Sequence, residues 1–213
     1  MSSTIKALVS SGDEWHSTEM VRSGLTSLAD PGFNFTFLDD DTAWSAARLN
    51  GFQLVVLTKT NMISPQDKRP WLTVDSDAAF RDFVRRGSGL VAVHGGIAGY
   101  NKLPAMRGII GGAFLLHPPQ CLVTIEPKSG HPLTSGIEPF TVADEHYQVT
   151  LDDPRADVFL HSRSEHGLQP AGWTRAEGEG RVCVLTPGHN PGVWLHPYFQ
   201  ILLRNALRWA AKI

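Results

Sequence analysis

The chain has 213 residues, 42% of them hydrophobic and 19% charged, an ordinary globular composition at a length that predicts one domain over 1–213. Nineteen Lys and Arg against 21 Asp and Glu leave a net charge of −2, so the basic surplus of a nucleic-acid binder is missing. Two cysteines exclude a disulfide framework and a Cys-rich zinc module. No apolar run is long enough to span a bilayer, and the first residues lack a basic stretch followed by an apolar signal core, so no membrane partner and a cytoplasmic location are expected.

In chain order, residues 5–10 read as a short buried strand, followed by the loop Ser11-Gly12-Asp13. A helical pattern from about Trp15 to Leu28 carries Met20, Val21, Leu25 and Leu28 on one face. Residues 33–38 and 53–58 read as further strands. The second is apolar throughout, as expected of a strand covered on both faces. Asp75 or Ser76 is positioned to cap a helix whose inner face is Ala79, Phe80, Phe83 and Val84, and Gly87 closes it. Residues 89–94 form the next buried strand. This alternation predicts parallel strands joined by right-handed crossovers.

The second half reads differently. Residues 121–126, 146–149 and 158–162 are shorter, more polar strands. Residues 172–175 and 181–186 form a hairpin around Gly178-Glu179-Gly180. Pro197 opens a last helix with Tyr198, Ile201, Leu202, Asn205, Ala206, Trp209 and Ala210 on one face. Residues 65–71 are the expected exposed loop.

Ligands of open α/β sheets bind beyond the carboxyl ends of the strands. There the sequence places His16, Thr58 to Asn61, His94 with Gly95 and Gly96, and Thr186 to His189. A polar residue straight after a buried strand and before two glycines is the pattern of a nucleophile elbow. Here it carries His94, and neither Cys121 nor Cys183 lies in such a turn, so cysteine-based acyl transfer is not expected. The alternative for His94 is a partly buried imidazole bonded to main chain. In Asp144-Glu145-His146-Tyr147, extended alternation puts Glu145 and Tyr147 on one face and Asp144 and His146 on the other; the competing reading is a solvated strand edge. His131 and His196 precede prolines and read as extended or cap residues.

The order of these features resembles the trehalose-utilisation (ThuA-like) family over nearly the whole chain. The features are the first loop with His16, residues 89–94, Gly111-Gly112 with Phe114 and His117-Pro118, His131-Pro132, residues 144–147, Gly172-Trp173, Gly188-His189, and Asn205 to Trp209. The resemblance implies an α/β, flavodoxin-like fold related to class I glutamine amidotransferases: a mostly parallel sheet with helices on both faces and extra antiparallel strands in the second half. In that larger group a Cys occupies the elbow, so amidotransferase chemistry is not implied. The family's link with trehalose implies a small carbohydrate as partner, and the resemblance is compatible with a homodimer.

Three functions follow. The first is a carbohydrate-processing enzyme acting on a sugar or oxidised sugar, with His94, Glu145 and Tyr147 catalytic and His16, Asp144, His117 and His189 binding substrate. The second is a metal-dependent hydrolase or isomerase in which three of His16, His94, His117 and His189 hold Zn²⁺; the sequence fixes no cofactor beyond that candidate. The third is a non-enzymatic sugar-binding or regulatory module.

Overall fold

The computed structural model describes residues 4–38 and 44–213. Its eleven described strands are β1 (Ile5–Ser10), β2 (Phe33–Leu38), β3 (Leu54–Leu57), β4 (Gly89–Val93), β5 (Gly112–Leu116), β6 (Cys121–Pro127), β7 (Phe140–Asp144), β8 (Gln148–Leu151), β9 (Asp157–Ser164), β10 (Gly167–Glu177) and β11 (Gly180–Leu185). The α-helices are α1 (Thr18–Ser27), α2 (Ala78–Arg85), α3 (Pro104–Ile110), α4 (Pro191–Trp194) and α5 (Pro197–Ala211). Nine strands share one sheet in the order β2-β1-β3-β4-β11-β10-β9-β6-β7, while β5 and β8 form a separate pair. The five strands from β2 to β11 run parallel; beyond them every pairing is antiparallel. The sheet is therefore mostly parallel in its first half, with antiparallel strands added by the second.

The central strands read as continuous apolar runs because both faces are covered. Val9, Val56, Val91 and Val93 pack toward a core built with α1, α4 and α5. Their neighbours Leu8, Val55, Leu57, Leu90 and Ala92 pack toward α2 and α3. Side chains alternate across a strand, so two helical layers require an apolar residue at every position. Among the described residues no helix is long and apolar enough to cross a membrane.

Several local expectations shift. The first helix begins at Thr18 instead of Trp15, because the Ser17 side chain caps it by accepting from the Met20 amide. The capping residue of α2 is Asp77 instead of Asp75 or Ser76, and its carboxylate accepts from the Ala105 amide at 2.7 Å. The inner face of α5 is rotated to Phe199, Leu202, Leu203, Ala206, Leu207 and Ala210, leaving Tyr198, Ile201 and Trp209 at its margins. The 65–71 loop ends in a buried Trp71, packed edge-on against Trp44 and Phe80. The strand expected from His146 begins at Gln148. β5, β7, α3 and α4 were not anticipated. His131 and His196 do act as caps, accepting from the amides of Leu133 and Tyr198.

Candidate functional site

Beyond the carboxyl ends of the parallel strands, the loops that follow β1, β4 and β11 meet the segment between β7 and β8. The first follows β1 and is organised by Asp13. Its carboxylate is buried and accepts from the amides of Trp15 and His16 at 2.8 Å and from the Thr60 amide, after β3, at 2.7 Å. It also lies 2.9 Å from His16 Nδ1. A carboxylate only accepts here, so Nδ1 carries the proton and Nε2 is left facing the cleft. That Nε2 is buried and has no hydrogen-bond partner. Burial alone would raise the Asp13 pKa, but the hydrogen bond and electrostatic pull of the His16 N–H and the backbone amides of Thr60 and Trp15 bring it down to about 2.

The second loop is the turn after β4. His94 has φ +48°, a left-handed backbone that L-residues rarely adopt, and starts a short 3-10 turn to Ile97. Gly95 and Gly96 follow because there is no room for more. A Cβ on Gly96 would lie 2.0 Å from the Leu57 carbonyl oxygen, and one on Gly95 would lie 2.8 Å from the His16 ring. This is the elbow that the sequence pattern suggested. His94 is both buried and bonded to main chain: its Nδ1 donates to the Thr186 carbonyl at 2.7 Å. Burial holds the ring neutral, pushing its pKa down to about 4 against the opposing pull of Glu145. Its Nε2 therefore presents a lone pair, 3.3 Å from Glu145 Oε2.

The third segment links β7 to β8. It is not extended. The Tyr147 amide donates to the Glu145 carbonyl, a tight turn that still sends alternate side chains opposite ways. Glu145 meets His94, His117 and His189 at 3.3, 3.6 and 3.3 Å. Burial raises its pKa, but the surrounding imidazoles, His94 first and then His189 and His117, outweigh that, and the net shift is downward. Tyr147 lies against the His94 ring with centroids 4.0 Å apart. Its burial and the nearby carboxylates push the phenol far above its ordinary value, so it stays protonated and can only donate or pack. His146 points away, onto Ser162 and Ser164.

The fourth loop follows β11 and carries His189. Asp144, expected to bind substrate, is buried away from the cleft and holds this loop instead. Its two oxygens accept from the amides of Gly188 and His189 at 2.9 Å each. Burial raises its pKa to about 7 in spite of these bonds. His189 Nδ1 is buried and, although near Glu145, is not aligned for a hydrogen bond. Its pKa is lowered, chiefly by burial.

One ligand atom from each of His16, His94, Glu145 and His189 lies within 4.8 Å of the others. His117 belongs to the rim instead: it is about a third exposed, donates through Nδ1 to the Pro118 carbonyl and turns Nε2 toward Glu145. The sequence offered His16, His94, His117 and His189 as candidate ligands; the cluster holds three of them, with Glu145 where that set had His117. Two members of the cluster, His16 and Glu145, line a cleft of about 590 Å³ together with Trp15, Phe114, His117 and Tyr147, and His94 lies behind them against the Tyr147 ring. That volume is the size of a small-molecule site. Sequence reasoning missed Asp13 as the organiser of the first loop; an aspartate three residues after a strand carries no signal that separates it from an ordinary turn.

Neither cysteine belongs to the cluster. Cys183 is fully buried inside β11, where burial raises its thiol pKa, and Cys121 starts β6.

The structure is similar to a protein from Parabacteroides merdae described as ThuA-like (TM-score 0.77, 19% identity, 98% of this chain and 90% of that one). A second protein described as ThuA-like, from Bacteroides uniformis, gives TM-score 0.74 at 20% identity, covering 97% and 91%. PurLQS from Thermotoga maritima is similar at TM-score 0.63 and 13% identity, covering 97% and 99%. At these identities the likeness is one of fold, and it extends to glutamine amidotransferase-like proteins. No curated protein matches. Residues 6–210 match the family model for trehalose utilisation, and the chain belongs to that ThuA family.

Proposed function

We propose that this protein is a carbohydrate-processing enzyme whose cleft binds a divalent metal ion, zinc by ligand type, on His16, His94, Glu145 and His189. The observation that carries this reading is the buried meeting of four electron-pair donors. His94 Nε2 and the Glu145 carboxylate face each other with no proton to share, since the His94 proton is spent on Thr186. His16 Nε2 and His189 Nδ1 are buried beside them without hydrogen-bond partners. Lone pairs so placed repel one another unless a cation stands between them. Four ligands about 2 Å from a tetrahedral ion are separated by roughly 3.3 Å, close to the spacing of Glu145 from His94 and His189. The outer contacts support the same reading. Asp13 on His16 and the Thr186 carbonyl on His94 fix each ring with its second nitrogen inward, the usual arrangement behind metal-ligating histidines.

A zinc ion bound there supplies Lewis acidity toward a carbonyl or hydroxyl oxygen. The chain's own residues divide the remaining work. His117 Nε2, at the rim and open to the cleft, takes a proton from the substrate and returns it. Tyr147 keeps its proton, lines the cleft and packs against the His94 ring. An oxidised sugar suits this set, because the hydrogen on carbon next to a carbonyl is acidic enough for an imidazole once the oxygen is polarised. The family's association with trehalose supports a sugar as the substrate class.

Metal analysis of purified protein, with Co²⁺ as a coloured substitute, tests the reading. One equivalent of metal is expected, with a cobalt spectrum lost in His94→Ala and His189→Ala, and turnover of keto-sugars lost on chelation and restored by Zn²⁺. A protein that binds neither ion would overturn it.

A further inference from the structure

The same cleft carries information about which sugars it admits. Trp15 stands at its mouth with about half its surface exposed, the most exposed Trp among the described residues. Its position is built: its amide is tied to Asp13, next to the residue that supplies His16. Exposing a large aromatic to solvent forgoes burial that would stabilise the fold, while an indole at a cleft mouth is a flat apolar surface for a ligand. Met62, Pro70, Ala98 and Phe114 line the cleft with it.

The charges point the same way. Lys68 is the one Lys or Arg in the cleft lining, and its ammonium is mostly exposed and already paired with Glu14 at 2.6 Å. Asn61, also in the lining, spends its side-chain amide on the main chain of Leu72 in both directions. Among the described lining residues a phosphate or carboxylate would meet no Arg fork and no unpaired lysine. We propose that Trp15 is a stacking platform for the ring of an uncharged pyranoside, and that the cleft selects neutral sugars, oxidised or not, over sugar phosphates and sugar acids. This rests on the reading of the cleft as a carbohydrate site.

Calorimetric titration of the zinc-loaded protein with trehalose, glucose, trehalose 6-phosphate and glucose 6-phosphate tests it, on wild type, Trp15→Ala, Trp15→Phe and Lys68→Ala. At least one neutral sugar is expected to bind at least 10-fold more tightly than its phosphate. Trp15→Ala should weaken that binding at least 10-fold, and Trp15→Phe should restore it to within about threefold. Lys68→Ala should leave it unchanged, and metal content should be the same in all four proteins. Equal sugar binding by wild type and Trp15→Ala would overturn the platform. Tighter binding of the phosphates, lost in Lys68→Ala, would overturn the selectivity while leaving a sugar site in place. If wild type binds none of the four, the carbohydrate reading falls and this inference falls with it.

Discussion

Replacing Asp13 by Asn separates the fold of the first loop from the chemistry of His16. The carboxylate accepts from the amides of Trp15, His16 and Thr60 and from His16 Nδ1, and it is buried. Asn supplies one oxygen. If that oxygen stays on the Trp15 and His16 amides, the new NH₂ faces the Thr60 N–H, donor against donor. One buried amide then loses its partner, at a cost of about 1–3 kcal/mol. In a chain of this length, that lowers the melting temperature of the metal-free protein by roughly 3–10 °C. The second effect is independent. His16 Nδ1–H loses a charged acceptor, Nε2 becomes a poorer donor, and metal affinity falls about 10–100-fold. Calorimetry on chelated protein reads the first effect and Co²⁺ titration the second. A variant that melts lower but binds Co²⁺ as wild type does would remove His16 from the metal set. One that melts unchanged would refute the hydrogen-bond account of the loop.

Gly96→Ala puts a methyl 2.0 Å from the Leu57 carbonyl oxygen and, as overpacking against backbone, should destabilise by about 2 kcal/mol or more, read as a lower urea midpoint with loss of metal binding. Cys121→Ser combined with Cys183→Ala should keep metal content and turnover, losing about 1 kcal/mol from the small cavity in β11; loss of turnover in the folded double variant would make a cysteine catalytic. Asp30 accepts from the Arg208 guanidinium at 2.8 and 3.0 Å and from the Gly32 amide, and its pKa is lowered, chiefly by the Arg208 hydrogen bonds. A depressed carboxylate stabilises above the unfolded value of about 3.9 and loses that stabilisation as pH falls through the lower folded value. Asp30→Asn should therefore cost about 1–2 kcal/mol at pH 7 and progressively less below pH 4, as measured by urea unfolding at both pH values.

How much of this was legible in sequence depends on the range of the interactions involved. The parallel half could be read because strands buried on both faces, such as residues 54–57 and 89–93, carry an unbroken apolar run. His94 stood out by contrast, as a polar residue between such a run and two glycines. The pairing of Glu145 with Tyr147 was anticipated from strand alternation, yet it arises from a tight turn, and the two share a face because an i to i+2 bond also inverts alternate side chains. The function of Asp144 was hidden. Whether a carboxylate faces a ligand or ties down a loop 44 residues later is decided by the pairing of β6 with β7 and by where α4 begins, and neither leaves a local pattern. That Glu145 joins His16, His94 and His189 while His117 stays at the rim is hidden for the same reason.

His94 shows how a backbone device can be kept while its chemistry changes. A left-handed residue at the end of β4 costs about 1–3 kcal/mol and persists only where the surroundings over-determine it. Here they do: Gly96 is pressed against the end of β3 and Gly95 against His16. An elbow lifts the side chain at its apex out of the sheet, which suits an exposed nucleophile. An imidazole there reaches both the Thr186 carbonyl beyond β11 and, with its other nitrogen, Glu145. The strain thus holds a neutral, oriented nitrogen donor at the meeting point of two strand ends, where a thiol would have had one atom to offer. The thiol nearest in the sheet, that of Cys183, is buried in β11 beside β4 with its pKa raised. No cysteine belongs to the cluster, and the elbow presents an imidazole that meets a neighbour at each of its two ends.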